Sequence, residues 1–127
     1  ETIFFRNSVP LEKISEFLHE GNALILALKK AEIFEYTIPG KLQSYLAIGL
    51  PIVSMLSGES AQIIEENQLG LNATSGDYKN LADNIIKLKK MKKIERDMMG
   101  KKCKEFAIKY YKRDKIINNF INEINLL

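Results

Sequence analysis

The sequence predicts an α/β domain: a parallel sheet with flanking helices, closed by a helical tail. Three observations predict it. The short, continuously apolar run Ala23–Leu28 fits a strand buried on both faces, and Leu50–Leu56 reads as the next strand. Between and after them lie helical segments that open at Pro39-Gly40-Lys41 and Ser57-Gly58-Glu59. From Asp77 onward the apolar pattern is helical.

Element by element, Thr2-Ile3-Phe4-Phe5 is β-branched and aromatic and predicts a strand over residues 2–5. Pro10 then suits a helix start, where its missing N–H leaves no bond unmade, and Glu12 suits the positive helix end. Ile14, Phe17 and Leu18 mark the helix face, and Gly21-Asn22 stops it. A strand over 24–28 follows, then a charged loop, a helix from Gly40 to about Ile48, and a strand over 51–55 with Pro51 at its head. Ser57-Gly58-Glu59-Ser60 opens another helix, and residues 69–72 predict a last strand. In the tail, residues 77–127, Leu81, Ile85 and Leu88 mark one core face, Ile94, Met98 and Met99 the next, and Ile116, Ile117, Phe120, Ile121 and Ile124 the last.

The 127 residues make one domain by length, with 46% hydrophobic and 28% charged residues, an ordinary globular balance. Cys103 is the only cysteine and His19 the only histidine. An internal disulfide, a cysteine–zinc cluster, a Ser–His–Asp triad and a two-histidine metal site are therefore excluded within this chain; no metal is expected. Both residues read as structural, and Tyr110-Tyr111 reads as core rather than as a stacking platform. The chain opens on Glu1 without a basic leader, so no signal peptide is expected, and the lack of an initiator Met suggests a piece of a longer protein. Only about four strands are visible, so the opening strands of a full nucleotide-binding sheet are expected to lie outside it. That predicts an exposed apolar edge and self-association of the isolated chain.

The net charge of +3 is unevenly placed: residues 1–86 carry 6 Lys and Arg against 11 Asp and Glu, and residues 87–115 carry 13 against 4. The run Lys87-Leu88-Lys89-Lys90-Met91-Lys92-Lys93 is broken by apolar residues at core spacing, as solvated helix faces are. A nucleic-acid-binding module is the weaker reading of it; an anionic membrane surface is the better partner.

In open α/β sheets, ligands sit beyond the carboxyl ends of the strands, and helix N-termini there favour anions. Gly40 and Gly58 would let a phosphate approach the backbone, and Lys41 would add a mobile positive charge. Read from the residues alone, helix punctuation is the competing explanation.

Beyond the residues themselves, "IPGKLQSYLAIGLPIV" followed by "GESAQIIEENQLGL" resembles the C-terminal half of the donor domain in family 4 of the retaining glycosyltransferases. The matching positions are Pro39, Gly40, Lys41, Leu42, Tyr45, Ala47, Gly49 and Pro51. "PGKLQSY" looks most like bacterial transferases that build O-antigen, colanic acid or capsule, including the N-acetylfucosamine transferase type. The resemblance implies a GT-B fold and transfer of a sugar from a nucleotide-diphosphate donor with retention, with no cofactor. It also implies a polysaccharide or lipid-linked acceptor held by a separate N-terminal domain. Residues 1–127 would then be a partial nucleotide-sugar-binding domain, inactive alone, cytoplasmic or peripheral on the inner face of the cell membrane. Donor-binding positions carried over are Pro39, Gly40, Lys41, Ser44, Gly58 and Glu59, with Lys41 the catalytic group. Many relatives carry two glutamates eight positions apart; here those positions are Tyr36 and Ser44. Ser44 is expected to meet the ribose in place of the second carboxylate. A GT-B sugar-nucleotide epimerase, or a nucleotide-binding domain without catalysis, is the alternative.

Overall fold

The computed structural model describes residues 3–126. Its sheet has three parallel strands in the order β1-β2-β3: β1 (Leu24–Ala27), β2 (Ile52–Met55) and β3 (Gly70–Ala73). The register pairs Leu24 with Ile52 and Ile52 with Gly70. Among the described residues six α-helices accompany it: α1 (Ile14–His19), α2 (Gly40–Ile48), α3 (Glu59–Glu66), α4 (Tyr78–Lys90), α5 (Lys93–Tyr111) and α6 (Arg113–Asn125). Short 3₁₀ turns at Leu11–Lys13 and Glu32–Phe34 precede α1 and α2. The fold is α/β and Rossmann-like, with a helical C-terminal tail.

The core lies on one face of the sheet. Leu26 and Ile52 project from it to meet Leu42 and Leu46 of α2, Ala61 and Ile64 of α3, and Cys103 and Ala107 of α5. Leu42, Leu46, Ile52 and Ile64 are wholly buried, and each contributes about 1.5–3 kcal/mol by leaving water. On the opposite face α4 packs across β2 and β3.

Several expectations change. Residues 3–5 form no strand and are exposed, Phe5 at 96%; Thr2 lies outside the described residues. Their β-propensity finds no neighbour to pair with, and a strand needs a ladder more than it needs β-branched residues. The run at 23–28 is not buried on both faces. β1 is an edge strand whose burial alternates, with Leu24 and Leu26 covered and Ile25 54% exposed. The last strand sits at 70–73 rather than 69–72. In α5 the core stripe is Gly100, Cys103 and Ala107, whereas Ile94 and Met98 point to solvent. All five apolar residues expected to bury α6 are exposed as well. Periodicity located these faces but not what covers them.

The choice of stripe on α5 follows from backbone approach. α2 ends at Gly49, in the left-handed region at φ 80°. A Cβ on Gly100 would stand 2.2 Å from the Gly49 carbonyl oxygen, so α5 crosses the end of α2 with no room for a side chain. Gly100→Ala should lower stability by about 1–3 kcal/mol, as overpacking does, in urea unfolding followed by circular dichroism. An unchanged midpoint would mean that α5 does not lie this close.

Candidate functional site

Because the strands are parallel, Ala27 of β1 and Met55 of β2 end at the same edge of the sheet. The chain leaves β1 through a loop of residues 28–39 and re-enters the fold at α2. It leaves β2 through Leu56-Ser57-Gly58 and turns at once into α3. Both helix N-termini therefore stand at the carboxyl end of the sheet.

The two starts are joined. Gly58 adopts φ 73°, and a Cβ there would lie 2.1 Å from the Glu35 carbonyl oxygen. The Glu59 amide donates to that same oxygen at 3.0 Å. Buried Ser60 donates its hydroxyl to the Thr37 carbonyl at 3.0 Å, and Thr37 Oγ1 donates to the Ile33 carbonyl at 2.9 Å. The loop before α2 is thus seated on the first turn of α3, and its backbone satisfies one of the orphan N–H groups there.

The exit from β2 is fixed as well. Asn72 on β3 accepts through Oδ1 from Ser54 Oγ (2.8 Å) and from the Leu56 amide (3.2 Å). Its Nδ2 donates to the Leu56 carbonyl (3.2 Å) and to Glu65 Oε1 (3.0 Å). Ser57 Oγ accepts from the Ser75 amide at 3.2 Å. Ser54, fully buried in β2, is satisfied by this clamp.

α2 begins differently. Pro39 is its N-cap, extended at φ −65° and ψ 137°, and among the described residues no side chain caps the helix. Gly40 and Lys41 are exposed, and a Cβ on Gly40 would meet nothing within 4 Å. Ser44 follows one turn later, with its hydroxyl donating to the Gly40 carbonyl at 3.1 Å. That bond leaves the oxygen's lone pairs for an outside donor. Pro39, Gly40, Lys41 and Ser44 thus share the start of α2, and Gly58 and Glu59 lie on the start of α3, tied to the first group through residues 35–37.

The end of α5 reaches the same rim, which the sequence reading missed. α5 runs antiparallel to α2, and between them lies a groove of about 440 Å³ lined by Ser44, Gln43, Lys104, Tyr111 and Lys112. Tyr111 is half-buried, its ring 5.9 Å from that of Phe106. Burial pushes its phenol pKa up, and the nearby negative charge of Glu59 pushes it further. Only the fold brings Tyr111 to Glu59; their separation in sequence carries no motif. Burial also pushes up the phenol of Tyr45 on α2.

Cys103 is inert here. Its thiol donates to the Leu69 carbonyl at 3.1 Å, and burial pushes its pKa from the ordinary 9.0 up to about 12. A raised pKa favours the protonated form in the folded state. The stability it contributes is therefore present below pH 9 and lost as pH climbs towards about 12. Tyr45 and Tyr111 act in the same direction. Unfolding free energy should fall above pH 9, and Cys103→Ala should remove up to about 1.4 kcal/mol per pH unit of that slope. A slope identical in the variant would show that the thiol titrates as if exposed.

The two glycines of the site separate structure from binding. Gly58→Ala should destabilise the fold by roughly 1–3 kcal/mol, since both the positive φ and the Glu35 backbone oppose a side chain. Gly40→Ala should leave the melting transition where it is or raise it slightly. Equal losses in the two variants would contradict this geometry.

The Glucosyltransferase 3-like, C-terminal domain family matches residues 9–122. The amylovoran biosynthesis glycosyltransferase AmsK of Erwinia amylovora is 34% identical over 80 residues, which cover 62% of this chain and 20% of that protein. The aligned part of the chain thus spans about one fifth of the length of the curated relative it matches. No solved structure matches. With the match reaching from the residue before Pro10 to the last turns of α6, the chain belongs to the Glucosyltransferase 3-like, C-terminal domain family of glycosyltransferases.

Proposed function

We propose that this domain holds the diphosphate of a nucleotide-sugar donor at the start of α2, within a GT-B glycosyltransferase of the retaining family 4 type. The observation that carries the reading is the start of α2. It stands at the carboxyl end of a parallel sheet, no side chain caps it among the described residues, Gly40 is open and Lys41 is exposed. α3 is the poorer anion site, because the Glu35 carbonyl already takes the Glu59 amide.

Departure of a nucleoside diphosphate builds negative charge on its β-phosphate. Groups fixed where that charge develops contribute most to the rate. On this reading those groups are the first amides of α2 and the Lys41 ammonium. A charge-assisted hydrogen bond contributes roughly 1.5–3 kcal/mol, and a helix end about 0.3–1 kcal/mol. Ser44, one turn further, meets a ribose hydroxyl. Glu59 stands at the same rim as a polar contact for the sugar. The acceptor, a growing polysaccharide or a lipid-linked sugar, is supplied from outside these residues. The amylovoran biosynthesis in the relative's name supports the polysaccharide reading. The exposed Lys89, Lys90, Lys92 and Lys93 would face an anionic membrane carrying such an acceptor.

In the full-length enzyme, Lys41→Ala should cut turnover by roughly 10²–10³, as loss of one preorganised donor does. Lys41→Arg should retain part of the activity, and Ser44→Ala should lose less than Lys41→Ala. Gly40→Ala should weaken donor binding in calorimetry while the protein melts as the parent does. If Lys41→Ala leaves both turnover and donor affinity intact, the Pro-Gly-Lys turn only starts a helix.

A further inference from the structure

We propose that Tyr36 recognises the sugar of the donor: its ring takes the apolar face of the transferred pyranose, on the Glu59 side of the rim.

Three observations carry it. The first is a fixed backbone. The Glu35 carbonyl accepts from the Glu59 amide at 3.0 Å, the Thr37 carbonyl accepts from the Ser60 hydroxyl at 3.0 Å, and Ile38 packs against the core. Both neighbours of Tyr36 are thus pinned, and its own backbone is held at the first turn of α3. The second is an unused side chain. Tyr36 is 74% exposed, whereas Tyr45 and Tyr111 pack against the core. Both ring pairs among the described residues centre on Phe106 and leave Tyr36 out. The bonds that seat the loop come from its backbone and from Ser60, and none of them uses the ring. The third is place. A lone exposed aromatic is ordinary on a protein surface. This one stands between the two helix starts, one residue after the carbonyl that takes the Glu59 amide and three before Pro39, the N-cap of α2.

Chemistry selects the group it meets. On the donor reading above, on which this assignment rests, the first amides of α2 hold the diphosphate and Ser44, further along α2, meets the ribose. Tyr36 precedes Gly40 in the chain and is tied to α3, which leaves it the sugar end of the donor, away from the ribose. A pyranose is polar around its rim and apolar across its C–H face. Tyrosine matches both parts, with a flat apolar ring and a hydroxyl at its tip. Exposed Glu59 adds a carboxylate acceptor for the sugar hydroxyls. Only two side-chain torsions need ordering on a backbone already fixed, which keeps the entropic cost of the contact low.

The test is calorimetric binding of UDP-glucose and GDP-mannose, and of bare UDP and GDP, to the full-length enzyme. For the conjugate that binds tighter, Tyr36→Ala should raise the dissociation constant roughly tenfold, as loss of an aromatic stack does, while that of the matching bare nucleotide stays within about twofold. Tyr36→Phe keeps the ring and should bind the conjugate within about threefold of the parent. Lys41→Ala should weaken conjugate and bare nucleotide alike. Both Tyr36 variants should melt within about 1 °C of the parent, as fits an exposed side chain. A clear drop in their melting temperature would make the ring structural and overturn the assignment. If Tyr36→Ala leaves conjugate binding intact, or weakens the bare nucleotide as much, the assignment falls while the donor reading stands on Lys41. If the parent binds none of the four probes, or Lys41→Ala changes none of their affinities, the donor reading falls and the assignment with it.

Discussion

The hydrogen bond from the Glu59 amide to the Glu35 carbonyl, made at the one point where Gly58 lets two backbones touch, sets the geometry of the site. The loop between β1 and α2 is long and charged, and nothing in its own sequence would hold it still. Seating its backbone on α3, with Ser60 bonded to Thr37, converts that loop into a fixed ramp that delivers Pro39 to the rim. A positive φ and a backbone contact this tight are tolerable only for glycine, so Gly58 serves the position of Gly40. The same contact divides the labour between the helix starts. α3 gives one amide to the protein itself, whereas α2 keeps an open first turn.

The clamp made by Asn72 protects this arrangement from the other side. The Leu56 amide continues the ladder to the Ala73 carbonyl at 2.9 Å, and the Asn72 side chain adds bonds to both the N–H and the C=O of Leu56, one residue beyond β2. It extends the rigid part of the sheet to the edge of the Ser57-Gly58 turn. Ser54 and Glu65 complete its bonds, so the polar group is satisfied where it is partly buried. Position and stiffness at the rim thus come from backbone, hydroxyl and amide groups with Glu65 behind them, while Lys41 and Glu59 stay exposed.

How much of this was legible follows from which forces are local. Parallel strands and helix starts were readable because apolar run length and Pro-Gly punctuation are local signals; β1, β2, α2 and α3 begin within a residue or two of where they were expected. The strand predicted at residues 2–5 failed at residues 3–5 because pairing is not local: among the described residues no partner strand stands beside Ile3, Phe4 and Phe5. The burial of Ile94 and Met98 was misjudged for a related reason. Spacing identifies a stripe, but the close approach of Gly100 to Gly49 decides which stripe of α5 faces inward. Tyr111 was passed over as core. It is indeed partly core, packed on Phe106, but its hydroxyl end also lies in the field of Glu59, a relation that exists only once α5 is laid antiparallel on α2.

The basic third of the chain shows the same limit from the side of electrostatics. Counted along the sequence it is a cationic block; folded, it is dispersed over α4, α5 and the start of α6. Lys93 pairs with Asp97 at 2.7 Å and Lys101 with Glu105 at 3.8 Å, both one turn apart on α5, and half-buried Lys102 donates to Gln68 on the loop after α3. Exposed pairs of this kind contribute only a few tenths of a kcal/mol each, but they cancel charge where it would otherwise accumulate. Two lysines of the same stretch, Lys104 and Lys112, stand instead on the wall of the α2–α5 groove. A cleft with low-dielectric walls focuses the field of its charges, so a few lysines placed there act on an incoming anion more strongly than a larger number spread over a helix surface.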